Sequence, residues 1–388
     1  MRILHTSDLH LGRSFHGRSL FHDHELWCNE LASVCENLEV GAVLISGDAY
    51  DQASPRTDVI EQFSRLLTRL RAQEIEVVVT SGNHDSAARL GFASQLLESA
   101  GVHFRTRIED IRRPVTLEDG TLVYGIPYLD PRSAAAELGS NPTHHEVLGA
   151  AVAEAATDRQ RRSNQHAIVM AHCFASGAEA SDSERILDTG NLGLVSANLF
   201  DGFDYAALGH LHGRQIVRGN VRYSGSPLAF SFSEARHTKG FWLLETSEDA
   251  LTVEDHEWEH TLDLACLTGE FEELMSSPEY SWAESCLCQI TVTDRRRPAH
   301  PMERLRTRFP DALELNFANL AGANENSYSS RLARAQSPVE ACAAFYDQVR
   351  GRELDPYERA EIVSAVGQAE KRRAASDVDA SSAEGAEA

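Results

Sequence analysis

Along roughly the first 245 residues, short apolar runs alternate with longer stretches whose apolar side chains return every three or four positions. The short runs predict strands at Arg2–Thr6, Ala42–Ser46, Glu76–Thr80, Val102–Thr106, Thr121–Ile126, Ala167–Ala171, Asp204–Leu208, Gln215–Tyr223 and Gly240–Glu245. Trp27, Leu31, Val34 and Leu38 fall at helical spacing, as do Ile60, Phe63, Leu67 and Leu70, so each set predicts a helix with one buried face. Strands alternating with helices predict an α/β fold in which helices are layered on sheets.

Beyond about residue 260 the pattern changes. The segment CLCQITVT alternates like a strand, Pro301–Phe309 reads as a short helix and LELNF as a further strand, together a small βαβ-like α+β unit. Val339, Cys342, Tyr346 and Val349 predict one helix, and Ile362, Val366 and Ala369 a second after Asp355-Pro356. By itself this pair reads as a solvated helical hairpin. The last stretch, RRAASDVDASSAEGAEA, lacks aromatic residues and predicts a disordered tail. The expected divisions are 1–260, 261–335, 336–373 and 374–388.

With 388 residues, 42% of them apolar, the chain has material for more than one core. Its 36 Lys and Arg against 59 Asp and Glu leave a formal charge of −23, an average that disfavours nucleic acid and anionic membranes. Seven cysteines, Cys28, Cys35, Cys173, Cys266, Cys286, Cys288 and Cys342, show no CxxC spacing, so reduced thiols are expected and a zinc knuckle is not. The opening MRILHTSDLH has no signal-peptide core, and no run approaches eighteen apolar residues. A cytoplasmic protein is expected.

Five motifs fall just after predicted strands, where an α/β sheet presents side chains to a ligand crevice. They supply Asp8 and His10, then Asp48, then Asn83, His84 and Asp85, then His172, and last His210 and His212. One Asp-x-His alone is more often a turn cap with a solvated imidazole. Five in step with the strand ends point to a metal centre. Imidazole, carboxylate and carboxamide without thiolate suit Mn²⁺, Fe or Zn²⁺, and Asp48, alone after its strand, suits a bridge between two ions. Two divalent cations against Asp8 and Asp48 would leave about +2 of local charge, suited to a phosphate diester. Such a pair supports in-line displacement at phosphorus. His84 need not be a ligand: beside the pair it can protonate the leaving oxygen, with Asp85 orienting its ring. The alternative is a structural turn histidine.

Together, DLHLG, GDAYD, GNHD, AHCF and GHLH resemble the five motifs of the calcineurin-like metallophosphoesterase superfamily. HTSDLHLGRSF, GNHDSAARL and RYSGSPLAFSFSEA narrow the resemblance to the SbcD family of bacterial nuclease subunits, related to the Mre-eleven nucleases of double-strand-break repair. It covers Met1 to Glu245 well and the remainder in plan. The resemblance implies a layered αββα core, a capping domain over about 262–335 and C-terminal helices. It implies one ion held by Asp8, His10, Asp48 and His212, a second held by Asp48, Asn83, His172 and His210, and His84 as the catalytic histidine. Mn²⁺ is the foremost candidate, with Mg²⁺ or Fe as alternatives.

The implied activity is phosphodiester hydrolysis, as a double-strand exonuclease and a single-strand or hairpin endonuclease in DNA repair, recombination and replication at the nucleoid. The implied partner is the SMC-like ATPase SbcC, two copies of each chain, gripped by the helices near Ser337–Arg350 and Tyr357–Arg373. A homodimer would use helices around Ile60–Leu70 and Ala87–Leu97. Where archaeal and eukaryotic relatives often carry a second histidine three residues after the bridging Asp, this chain has Asp51.

Local charge then reads differently from the average. Arg2, Arg13 and Arg18 face Asp8 alone in the first twenty residues, and Arg105, Arg107, Arg112 and Arg113 face Glu109 and Asp110. Arg295, Arg296, Arg297, Arg304, Arg306 and Arg308 face Asp294 and Glu303. Arg13, Arg18, Arg295, Arg296 and Arg297 are the candidates for DNA phosphate, the alternative for each cluster being a solvated charged face. A phosphodiesterase or phosphatase for small substrates, and a catalytically silent scaffold for SbcC, are the rival functions. The complete ligand set argues against the scaffold, and the capping unit with YSGSP against the small substrate.

Overall fold

Strands buried on both faces need apolar runs without polar alternation, and VGAVLIS, EVVVT and AIVMAH become such strands. The computed structural model describes residues 1–163, 166–185, 193–318, 337–350 and 354–366. The expected tail at 374–388, and the expected second C-terminal helix beyond 366, lie outside the described residues. In chain order, the strands of two large sheets begin with β1 (Arg2–Thr6), β2 (Val40–Ser46), β3 (Glu76–Thr80), β4 (Val102–Arg105), β5 (Val115–Thr116) and β6 (Leu122–Gly125). They continue with β7 (Ala167–His172), β8 (Tyr205–Gly209), β9 (Gln215–Arg218), β10 (Val221–Tyr223), β11 (Gly240–Thr246) and β12 (Leu251–Glu257).

One six-stranded sheet has the order β12-β11-β1-β2-β3-β4 and the other β9-β10-β8-β7-β6-β5. Strands β1 to β4 are parallel, and β11 pairs antiparallel with β1, Ile3 opposite Leu244. In the second sheet β6, β7, β8 and β10 are parallel, with antiparallel β5 and β9 at the edges. Parallel neighbours bring all their carboxyl ends to one edge, and there the motifs meet.

Successive residues of a strand face opposite sides, which sorts the core into three layers. Ile3, Leu44, Val78, Ile168, Met170 and Tyr205 fill the space between the sheets. Their neighbours Leu4, Val43 and Val77 turn outward to Trp27 and Leu31 of α1 (Phe21–Asn37) and Phe63 and Leu70 of α2 (Thr57–Ala72). On the far side Val169 and Leu208 pack with Val147, Ala151 and Val152 of α3 (His144–Arg159). The order helix, sheet, sheet, helix is the expected αββα layering.

Three local differences have physical reasons. Gln215–Tyr223, expected as one strand, is a hairpin, because Gly219 at φ +42° turns the chain between β9 and β10. β12 went unforeseen because its one half-buried face carries only Leu251 and Val253 as large apolar residues. Ile60, expected in the buried stripe of α2, is 46% exposed.

The chain divides into two compact units. The first takes Met1–Cys266, Tyr280–Gln289 and Phe309–Glu314, and the second Leu267–Glu279, Ile290–Arg308 and the chain from Leu315 onward. β13 (Leu264–Gly269), β14 (Leu287–Val292) and β15 (Ala312–Phe317) form a three-stranded sheet in that order. The second unit also contains α4 (Pro338–Arg350) and a helix over 356–366. All seven cysteines are free thiols.

Candidate metal centre

The turns leaving β1, β2 and β3 are laced together by main-chain bonds. The N–H of Asp8 donates to the Gly47 carbonyl (3.1 Å) and that of His10 to the Asp48 carbonyl (2.9 Å), while the N–H of His84 donates to Asp48 Oδ1 (2.8 Å). Asp8 (φ 53°), His10 (43°), Asp48 (48°) and His210 (108°) all lie in the left-handed region. Side chains there cost roughly 1–3 kcal/mol each and persist where surrounding contacts over-determine them. Glycine allows the close approach: a Cβ on Gly47, at φ +86°, would collide with the His172 ring, and one on Gly82 with the Asp48 carboxylate.

The second sheet faces these turns with His172 at the end of β7 and with His210 and His212 just after β8. Asp8, His10, Asp48, His172 and His212 are buried. Asp48 Oδ2 lies 3.3 Å from His172 Nε2 and 3.6 Å from His10 Nε2. Asn83 Oδ1 lies 3.0 Å from His172 Nε2 and 3.2 Å from His210 Nδ1. Donor atoms 3.0–3.6 Å apart stand close enough to converge on a shared divalent cation.

A sharper test of fit is the pair of imidazoles at the other end. His10 Nε2 and His212 Nε2 are 3.2 Å apart, while their Nδ1 atoms face Asp51 Oδ1 (3.3 Å) and Ser183 Oγ (2.8 Å). With the protons on the Nδ1 side, two lone pairs point at each other, which a cation between them satisfies. Among the described residues, Asp8 with His10 and His212, Asp8 with Asp48 and His172, and His10 with Asp48 and His84 form tight donor groups. The residues fit divalent cations.

Proton affinities follow from the same burial. Burial pushes Asp8 up to about 6 and pulls His10 and His210 down to about 3. Burial would also raise Asp48, yet His172 beside it, with His10 and His84, holds it below the usual carboxylate range. Burial would lower His172 in turn, and Asp48 lifts it to about 9. Without cations, then, Asp48 and His172 form a buried ion pair, and a cation binding there must displace the His172 proton.

His84 is half-buried beside these donors, its ring centroid 4.7 Å from that of His10. Asp85 does not orient it, contrary to expectation. The Asp85 carboxylate accepts from the main-chain N–H groups of Gly82 (2.9 Å), Tyr50 (3.0 Å) and Ala49 (3.2 Å), tying the third turn to the second. Burial, and then the charge of Asp48, push Asp85 up to about 7. His84 Nδ1 instead donates to the main-chain oxygen of Asp51 (2.9 Å), which leaves Nε2 free. The Asp51 carboxylate is turned to His10 and takes the Arg13 guanidinium at 3.0 Å, so its charge is compensated.

The basic clusters are mostly occupied. Arg13, expected on DNA, is wedged between Asp51 and the Phe230 ring (4.7 Å) as a brace of the centre. Arg18 reaches Asp23 (3.3 Å). Arg105 and Arg113 pair with Glu98, and Arg112 with Glu154, acids outside the stretch from 105 to 113. In the second unit Arg304 pairs with Glu272 (2.7 Å), and Arg308 donates to the Leu274 and Ser277 carbonyls. Arg295, Arg296 and Arg297 are exposed, Arg297 lying over Phe317. The residues that sequence reasoning missed are Ser183, Glu184, Glu234 and Lys239, grouped behind His212. Their signal was compositional: of 36 basic residues only Lys239 and Lys371 are lysines.

Two packed sheets with five ligand-bearing turns at their shared edge define the calcineurin-like phosphoesterases, and the chain belongs to that family, whose description matches residues 1–214. It is thereby a phosphoester hydrolase with a divalent-metal centre. Residues 261–350 match a second family, described as Type 5 capsule protein repressor C-terminal domain. Among similar curated proteins is the SbcD component of the nuclease SbcCD from Staphylococcus saprophyticus, 29% identical over 320 residues, 81% of this chain and 84% of that one. The protein of the same name from Staphylococcus epidermidis is 26% identical over 359 residues, 91% of this chain and 95% of that one. No helix among the described residues is long and apolar enough to cross a membrane.

Proposed function

We propose that this chain is the nuclease subunit of an SbcC-dependent complex, hydrolysing DNA phosphodiester bonds as a double-strand exonuclease and a single-strand or hairpin endonuclease in the cytoplasm, at the nucleoid. One observation carries the chemistry: buried Asp8, His10, Asp48, His172 and His212 with half-buried Asn83 and His210 gathered in one ring, and His84 held beside it by Asp51. Asp8, His10, Asp48 and His212 would hold one cation and Asp48, Asn83, His172 and His210 the other, with Mn²⁺ proposed for both as an ion that mixed oxygen and nitrogen donors accept. When bound, the cations would supply Lewis-acid stabilisation of phosphoryl charge and activation of the attacking water. The protein's own part is to orient these donors and to aim His84 Nε2 at the leaving oxygen, where it delivers a proton or stabilises charge. Asp85 acts by fixing the turn that carries His84, not by contact with its ring.

DNA as substrate and SbcC as partner are supported by the names of the two relatives and by the surface. Phe345, Tyr357 and Val363 are exposed on the C-terminal helices, apolar side chains suited to a coiled-coil partner. A groove of about 470 Å³ lined by Ile60, Phe63, Leu67, Leu90, Phe92 and Leu97 supports homodimerisation through α2 and the segment Ala87–Glu98. Ile60 and Phe92 are the exposed large apolar residues of its lining, which accounts for the uncovered position in α2. Arg295, Arg296 and Arg297 would contact the DNA backbone. We place the nuclease domain at 1–260, the capping domain at 261–335 and the SbcC-binding helices at 336–373.

The test is cleavage of hairpin and blunt duplexes by the chain with and without SbcC, in Mn²⁺ and in Mg²⁺. His84→Ala should keep its metal and lose turnover by about 10²–10⁴-fold. Undiminished cleavage would remove His84 from the mechanism, and turnover of cyclic nucleotides with no cut DNA would replace the nuclease with a small-substrate phosphodiesterase.

A further inference from the structure

The two halves of the centre are backed differently. Behind His172, Nδ1 meets only the main-chain oxygen of Ser46 (3.0 Å), and His210 Nδ1 faces inward to Asn83. Among the described residues no carboxylate stands behind either ring. Behind His10 stands Asp51 with Arg13, and behind His212 a larger assembly. Ser183 Oγ donates to Glu234 Oε1 (3.0 Å), which leaves that oxygen to accept from His212 Nδ1 (2.8 Å), and Glu234 Oε1 itself lies 3.5 Å from the ring. Glu184 lies 3.5 Å from the same nitrogen and accepts the His212 main-chain N–H.

Lys239 completes the assembly. Its ammonium donates to Glu234 Oε2 (2.6 Å), to the His212 carbonyl (2.9 Å) and to Ser226 Oγ (2.9 Å), three acceptors for three donors. Glu234 and Lys239 are both buried. In a chain that uses arginine almost everywhere, this buried position keeps a compact ammonium that a planar guanidinium would not replace. Lys239 holds Glu234 in place and offsets its charge, while Glu184 remains as a second anion facing His212, and half-buried His237 is a further titratable group near the cluster.

We infer that Glu234, anchored by Lys239 and relayed through Ser183, is a positioning residue that fixes the ring and tautomer of His212, and that this backing, with Asp51 behind His10, makes the half of the centre containing His10 and His212 the tighter of two unequal cation sites. A ligand imidazole whose other N–H meets a carboxylate is more basic and better oriented than one held by a carbonyl, and losing that backing typically weakens metal affinity by about 10- to 100-fold. The inference rests on the two-cation ligand assignment proposed above.

The experiment is Mn²⁺ binding to the purified full-length chain, followed by calorimetry and by the electron paramagnetic resonance of bound Mn²⁺. Wild type should show two classes of site. Glu234→Gln should weaken the tight class by about 10- to 100-fold and leave the weak class unchanged. Ser183→Ala, which removes one partly exposed hydroxyl and leaves the buried pair intact, should weaken the same class by less. The double variant Glu234→Gln with Lys239→Met removes both members of the buried ion pair, so that neither is left without the other, and should stay weakened. Recovery of tight binding in that double variant would assign the pair to folding only and overturn the inference. Wild-type affinity in Glu234→Gln, or equal weakening of both classes, would overturn it while leaving the metal centre standing. A wild type that binds no Mn²⁺ would overturn the ligand assignment itself and the inference with it.

Discussion

The two sheets bring unlike chemistry to one centre. Turns after β1, β2 and β3 deliver both carboxylates and the carboxamide, with His10 and His84, whereas those after β7 and β8 deliver only imidazoles, His172, His210 and His212. Neither side can hold a cation pair alone: the first gathers anions short of neutral donors, the second neutral donors without compensating charge. What joins them spans most of the chain. Asp8 Oδ1 accepts the His210 N–H (2.9 Å) across 202 positions, and Ser46 Oγ donates to the Ala207 carbonyl (2.9 Å) across 161. The centre is therefore a property of how the sheets pack, and that can be broken in graded steps.

The largest effect should come from Asp48→Asn. Asp48 stands between imidazoles from both sheets, His10 at 3.6 Å on one side and His172 at 3.3 Å on the other. We expect loss of both cations in a metal titration, and with them of activity. Retention of one tight site would show that the halves bind independently.

A smaller effect separates packing between the sheets from packing outside them. Leu44→Ala empties a place in the layer between the sheets, and Leu31→Ala a place under α1. Each should cost about 2–5 kcal/mol of stability in denaturant unfolding. Only Leu44→Ala should also weaken Mn²⁺ binding, because only that layer sets the distance between the two sets of ligands. Equal binding in both variants would uncouple the centre from the packing of the sheets.

The smallest effect is a pH dependence. His172 is raised to about 9 in the metal-free protein and must give up its proton to a cation, so apparent affinity should fall about tenfold per unit as pH drops below about 9, and more steeply below about 6, where Asp8 also binds a proton. The same raised value stabilises the metal-free fold fully below the ordinary 6.5 and is lost as pH rises through about 9. Flat affinity between pH 7 and 9 would mean that no such proton is displaced.

This contrast also explains what was legible in the sequence. Asp8, Asp48, Asn83, His172 and His210 could be read because each closes an apolar run, and the run itself announces the strand that places it. The groups behind them could not. Glu234 and Lys239 reach His212 from 22 and 27 positions away in irregular segments with no periodicity to follow. Asp85 was read as a partner of His84 from adjacency, but the turn folds its carboxylate back onto three main-chain amides. Spacing in α2 identified an apolar stripe, yet spacing cannot say whether a neighbour covers all of it, and Ile60 is left in the open groove.

The most direct measurement is the number and location of Mn²⁺ ions in the intact protein, by anomalous diffraction from crystals grown with Mn²⁺. The account predicts two ions per chain, one on each side of Asp48, with His84 touching neither. A single ion, or one coordinated by His84, would contradict it.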